Sequence, residues 1–241
     1  MILVTGAAGK TGCAIISALA ARGATVRALV RRAAQAALVR QAGAHEVCVG
    51  DLAVAADVER AMQGADAVYH ICPNMHAAEV RIGQTVISSG AGGGRGALCL
   101  PFGAAPTNPR MPHHWHKLQV EEQLFESGLA YTILQPTAYM QNLLAGWPAI
   151  VNDGVLALPY PVETRISLVD LHDVAQVAAG VIGNPAHFYA TYELVGAGAG
   201  ANRSGGTVGS SVGADGVGKG DQTGCVGEAG APGRRACRIC H

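Results

Sequence analysis

The chain has little charge and no long apolar run. Of its 241 residues only 14% are Asp, Glu, Lys or Arg, and the two signs cancel to a formal net charge of +0. That balance excludes the basic surface a nucleic-acid partner requires and the excess that would draw an acidic one. No stretch of about eighteen consecutive apolar residues occurs, so no membrane-spanning helix is expected. Met1 leads straight into Ile2-Leu3-Val4 with no signal segment, which makes the cytoplasm the expected compartment. The seven cysteines do not change this: Cys13, Cys48 and Cys72 sit inside apolar patterns and read as small buried hydrophobes. Leucine is missing altogether from 196–241, where 14 of 46 residues are glycine. A stretch so poor in apolar surface cannot offset its ordering entropy, and it is expected to be a disordered tail.

What the chain does have is concentrated at its start. Residues 2–12 read Ile-Leu-Val-Thr-Gly-Ala-Ala-Gly-Lys-Thr-Gly, and the helix-like run Cys13–Ala21 follows. The order is strand, tight turn, helix. Its G-x-x-G-x-x-G spacing is a relative of the dinucleotide fingerprint. Gly6 permits the sharp turn, Gly9 lets backbone approach a pyrophosphate, and Gly12 lets the helix pack closely on the strand. The helix start would offer N–H groups and a positive dipole end to the phosphates. Gly6, Ala8, Gly9, Lys10, Thr11 and Gly12 are therefore the first candidate cofactor-binding residues.

Strand and helix patterns then alternate. Strands are expected at Thr25–Val30, His45–Val49 and Asp66–Ile71, and helices at Ala33–Ala42, Val54–Gln63 and about Ala77–Ser88. Further on come a helix at His114–Glu126, strands at Tyr131–Leu134 and Ile166–Val169, a helix over Asp170–Val181 and a strand at Tyr189–Leu194. This alternation predicts an α/β fold with a doubly wound parallel sheet. Residues 1–195 form its domain, with 88–110 irregular, and 196–241 form the tail.

The ends of the strands carry the next candidates. The second strand ends in Arg31-Arg32, where an NAD site would carry an acid that binds the ribose hydroxyls. Arginine there suits bidentate contact with a 2′-phosphate and favours NADP(H), with NAD(H) the lesser candidate. Asp51 and Leu52 follow the third strand, where a carboxylate could accept from the adenine amino group or cap the next helix. Cys72 and Pro73 follow the fourth, at the carboxyl edge where ligands lie in open α/β sheets.

The glycine turn, Val26-Arg27-Ala28-Leu29-Val30-Arg31, Gly50-Asp51-Leu52 and Glu126-Ser127-Gly128-Leu129-Ala130-Tyr131-Thr132-Ile133-Leu134-Gln135-Pro136 together resemble the NmrA-like family. These are atypical members of the short-chain dehydrogenase/reductase superfamily, which include quinone and triphenylmethane reductases and NADP-sensing regulators. The resemblance spans Met1–Ser88 and Met111–Gly196. It implies a Rossmann domain with a small C-terminal lobe, here incomplete. It places Pro136, Thr137 and Tyr139 beside the nicotinamide, and Lys117 where it could hydrogen-bond the nicotinamide ribose or polarise a carbonyl. Lys117 and Tyr139 are thus the catalytic candidates. His113, not Tyr, stands four residues before Lys117, so the usual proton donor of the Tyr-x-x-x-Lys pair is missing. Ketone reduction is disfavoured, whereas hydride transfer to a quinone or other flat acceptor needs only positioning of the cofactor. The implied function is NADPH-dependent oxidoreduction of a small-molecule acceptor. Two alternatives stand beside it: a non-catalytic NADP-sensing regulator, and an inactive product of a damaged gene. A second copy of the chain or a regulatory protein is the partner each leaves open.

Damage is raised by two segments. Relatives carry a fifth strand resembling Arg-Phe-Val-Tyr-His-Ser-Val-Leu-His-Pro. Shifted by one base, a coding sequence for it can read Ala-Leu-Cys-Leu-Pro-Phe-Gly-Ala-Ala-Pro, which is the text of Ala97–Pro106. A local frameshift ending near Met111, and a second behind the tail, are therefore expected. They would remove the fifth strand's active-site serine and most of the C-terminal lobe. The terminal Cys237-Arg238-Ile239-Cys240-His241 matches a haem-attachment pattern, but in an unfolded tail without an export signal it carries no weight. Cys225 in the same tail is discounted as a zinc ligand, and the cluster His113, His114 and His116 lacks carboxylate or thiolate partners at ligand spacing. No metal site is expected.

Overall fold

The computed structural model describes residues 1–73, 76–92, 97–101, 112–158, 164–196, 198–200 and 235–238. The chain divides into two compact units, one formed by 1–137 with 171–194, the other by 138–170 with 195–241.

The first unit alternates strand and helix as the sequence predicts: β1 (Ile2–Val4), α1 (Lys10–Ala21), β2 (Val26–Val30), α2 (Ala36–Gln41), β3 (Glu46–Val49), α3 (Ala55–Met62), β4 (Ala67–Tyr69), α4 (Glu79–Gly92), β5 (Ala97–Pro101), α5 (Pro112–Glu126) and β6 (Tyr131–Pro136). The strands line up, with a later β10 (Ala190–Leu194), in the order β10-β6-β5-β4-β1-β2-β3, all parallel. A sheet covered on both faces needs apolar residues at successive positions, and Ile2-Leu3-Val4 supplies them. Leu3 packs with Val58, Ile82, Val86, Val120 and Leu124 of α3, α4 and α5. Its neighbour Val4 packs oppositely, with Ile15, Ile16 and Leu19 of α1 and with Ala175 and Ala178 of α7 (Leu171–Val181). Each large aliphatic side chain so buried contributes roughly 1.5–3 kcal/mol. The strand order reverses between β1 and β4, which opens a crevice at their carboxyl ends.

A fifth strand stands within the segment 88–110 that the sequence marks as irregular. Ala97–Pro101 pairs in parallel with β4 on one side and β6 on the other, with Leu98 and Cys99 buried. Pro101 is tolerated because it is the last residue of the strand. The segment 102–111, and with it the position of the expected serine, lies outside the described residues.

The second unit contains β7 (Ala138–Tyr139), α6 (Trp147–Asp153), β8 (Val155–Leu158) and β9 (Arg165–Val169). β9 pairs in parallel with β7 and antiparallel with Gly198–Gly200, while β8 pairs antiparallel with Arg235–Arg238. Apart from these two short pieces and 196, the Gly-rich tail lies outside the described residues. No helix among the described residues is long and apolar enough to cross a membrane.

Candidate cofactor site

The turn after β1 is shaped by backbone proximity. Gly6 adopts φ +58°, and a Cβ there would lie 2.8 Å from the Ile71 carbonyl oxygen at the end of β4. A Cβ on Gly12 would sit 2.5 Å from the carbonyl oxygens of both Ala7 and Gly6. Neither position accepts a side chain without moving main chain. Gly9 is the N-cap residue of α1. No side chain caps that end, and its first turn holds no acid. A cap made of glycine leaves the helix start open to an anion, which the dipole favours. The cradle therefore fits a pyrophosphate. Ala8 and Lys10 lie on the turn and the start of α1, and Thr11 follows within the helix.

Arg31 extends from the end of β2 and is 80% exposed, with Nε 3.7 Å from a carboxylate oxygen of Asp51. So loose and solvated a pair holds little energy, and the guanidinium can turn to a phosphate. Asp51 is fixed differently from the expected helix cap. Its Oδ1 accepts the Ala53 N–H at 2.9 Å and its own N–H donates to Asp57 Oδ2 at 2.8 Å, while the N-cap of α3 is Val54. Asp57 is held in turn by Arg60, and these hydrogen bonds keep its carboxyl below the usual range. Leu52 packs its side chain into the core beside Leu29 and Val58, so only its main chain can face a ligand.

At the end of β4 polar side chains are buried together. The Thr5 hydroxyl accepts the Ile71 N–H at 2.9 Å and lies 2.8 Å from His70 Nδ1, tying β1 to β4. Burial, with the Lys117 charge as a second cause, drives the His70 imidazole down to about 4, so it is neutral at physiological pH. Cys72 follows half-buried, its thiol pushed up to about 12 by burial and by the Glu79 carboxylate. That thiol is no nucleophile. Pro73 is exposed. Lys117, on α5, forms an ion pair with Glu79, the first residue of α4.

Pro136 ends β6 opposite Leu194, and Thr137 directs both its N–H and its hydroxyl to the Leu194 carbonyl. Tyr139 lies in the second unit, half-buried on β7 opposite Val169. Six buried polar residues were given no site role by the sequence: Thr5, His70, Glu79, Glu121, Thr132 and Gln135. Gln135 Nε2 donates to both carboxylate oxygens of Glu121, at 3.0 and 3.3 Å, and burial raises the Glu121 carboxyl. Nothing local marks these pairs, since their partners are 38 and 14 residues apart in sequence.

A parallel sheet in this order, with a capless glycine turn at its switch point, defines an NAD(P)-binding Rossmann fold of the atypical short-chain dehydrogenase/reductase kind. The profile of the NmrA-like family matches residues 1–199, and the chain belongs to that family. It is 31% identical over 197 residues to an NAD(P)H azoreductase of Xenophilus azovorans, covering 81% of this chain and 68% of that one. It is 29% identical over 199 residues to quinone oxidoreductase 2 of Escherichia coli, with the same shares covered. The crystal structure of the NADPH-dependent quinone oxidoreductase of Escherichia coli, complexed with NADPH, superposes with a TM-score of 0.73 at 27% identity, covering 83% of this chain and 71% of that one.

Proposed function

We propose that this protein is an NADPH-dependent oxidoreductase that passes hydride to a quinone-like or other flat acceptor. The observation that carries the reading is the arrangement at the carboxyl edge: an uncapped α1 behind Gly6–Gly12, with Arg31 beyond the end of β2. The relatives that are NAD(P)H azoreductase and quinone oxidoreductase support it. NADPH, when bound, supplies the hydride from its nicotinamide. The chain's own residues bind and orient it. The first turn of α1, with Ala8, Lys10 and Thr11, holds the pyrophosphate. Arg31 turns from Asp51 to the 2′-phosphate, a bidentate contact that NADH cannot make. Asp51 and the Leu52 main chain border the adenine, and Cys72 and Pro73 line the adjoining edge. Pro136 and Thr137 flank the nicotinamide. Lys117 places its ammonium by the nicotinamide ribose or the acceptor's carbonyl, where it favours developing negative charge.

Fluorescence titration with NADPH and NADH, followed by NADPH consumption with a panel of quinones and azo dyes, tests the reading. NADPH is expected to bind at least about tenfold more tightly than NADH, and a quinone or dye to accelerate its oxidation. Equal affinities would remove the role given to Arg31. Tight NADPH binding without turnover would establish the regulatory alternative.

A further inference from the structure

We propose that Glu79 is the positioning residue of Lys117: it anchors the ammonium at the carboxyl edge of the sheet from inside the protein. This rests on the role given to Lys117 above. Glu79 is only 1% exposed, and its partner's side chain only 15%. The second carboxylate oxygen of Glu79 is buried and has no hydrogen-bond partner among the described residues. Its charge is therefore answered by Lys117 and by the N-terminal end of α4, which it begins.

The two helices leave this pair little play. One turn further along α4 is Gly83, where a Cβ would lie 2.6 Å from the methyl groups of Val120, three residues beyond Lys117 on α5. Such an approach is possible only because residue 83 lacks a side chain. Residues 79 and 83 share one face of α4, and residues 117, 120 and 121 share one face of α5, so backbone contact and ion pair form a single joint. Glu121 on that same face is fixed by Gln135. The Lys117 charge is felt at His70 and Cys72, which follow β4. The adjacent Ile71 carbonyl is the atom that Gly6 approaches. Glu79 thus holds a cation beside the crevice without itself reaching the reacting atoms.

A purely structural clamp between α4 and α5 is the competing explanation, and the two differ in what they predict. Buried ion pairs add little net stability over apolar replacements, so a clamp can be exchanged for Met and Gln without consequence for turnover. A positioning residue cannot.

The test is a double-mutant cycle of Glu79→Gln and Lys117→Met in the full chain, read in NADPH affinity, in kcat and KM with a naphthoquinone, and in urea unfolding. Glu79→Gln is expected to lower kcat at least about tenfold while the NADPH Kd and the quinone KM move less than about twofold. In the Lys117→Met background the same substitution is expected to leave kcat within about twofold, because its only route of action is gone. In unfolding, the double variant is expected to recover stability lost by Lys117→Met alone. Equal kcat losses in both backgrounds, or full kcat in Glu79→Gln, overturn the proposal. A wild type that oxidises no NADPH refutes the oxidoreductase reading and the positioning role that rests on it, and additive unfolding losses in the cycle overturn the coupling of Glu79 to Lys117 whatever the turnover.

Discussion

The two halves of the carboxyl edge are made of different material. Around Gly6–Gly12 the site is main chain: its shape comes from missing side chains and its charge from a helix end. Around the end of β4 the site is side chain: Glu79, His70 and Thr5 are buried, Lys117 is partly so, and they answer one another across helices and strands. A main-chain site is encoded locally and is intolerant of additions. A side-chain site is assembled from distant segments and is intolerant of losing one partner. Substitutions can separate the two kinds of failure.

Removing one charge should cost most. Lys117→Met leaves Glu79 buried without its counter-charge, and a destabilisation of about 3–5 kcal/mol is expected in urea unfolding. A loss under about 1 kcal/mol would overturn the reading of Glu79 and Lys117 as a mutually dependent buried pair.

Acid should find His70 next. Its folded value of about 4 lies below the 6.5 of an exposed imidazole. Between these values the unfolded chain binds more protons, so the stability held above pH 6.5 drains away as pH falls toward 4, by roughly 3 kcal/mol. His70→Asn keeps an acceptor or donor near the Thr5 hydroxyl and cannot titrate. Urea midpoints at pH 7.5 and 5 should differ less in the variant than in the wild type.

The main-chain half should fail in binding more than in stability. Gly12→Val forces a side chain onto two carbonyl oxygens, an overpacking expected to cost about 1–3 kcal/mol and to abolish NADPH fluorescence titration. A variant that still titrates would mean the turn does not hold the pyrophosphate.

The smallest effect belongs to the exposed Arg31. Arg31→Ala should weaken NADPH about tenfold, close to 1.4 kcal/mol, and leave NADH unchanged. Parallel titrations of the two cofactors check this.

The same contrast explains what could be read in advance. The parallel sheet, the order of its helices and the glycine turn follow from patterns within a few residues, and the structure reproduces them with most ends shifted by a residue or two, the starts of α1 and α2 by three and the end of α4 by four. Local text also marked Arg31 and Asp51 as the ends of β2 and β3. It did not tell that Asp51 spends one oxygen on Ala53 rather than on a helix cap. Glu79 looked like any acid in a first helical turn, because its partner is contributed by another helix. Lys117 was legible only through the family resemblance, since a lysine on a helix is ordinarily a surface residue. The second unit was the least legible: β7 has two residues and pairs with β9 some thirty positions on, without a periodicity long enough to detect.

β5 carries a consequence for how such a chain tolerates error. Ala97–Pro101 satisfies the slot between its neighbours through main-chain bonds, Leu98 N–H to the Ala130 carbonyl and the Cys99 carbonyl from His70 N–H, both 2.9 Å, with Leu98 and Cys99 filling the interior. A slot of this kind inspects a peptide for backbone and oiliness and is blind to its spelling. The sheet is therefore a poor proofreader: many five-residue apolar spellings would fill this slot equally well, and identity is checked only where residues must do chemistry.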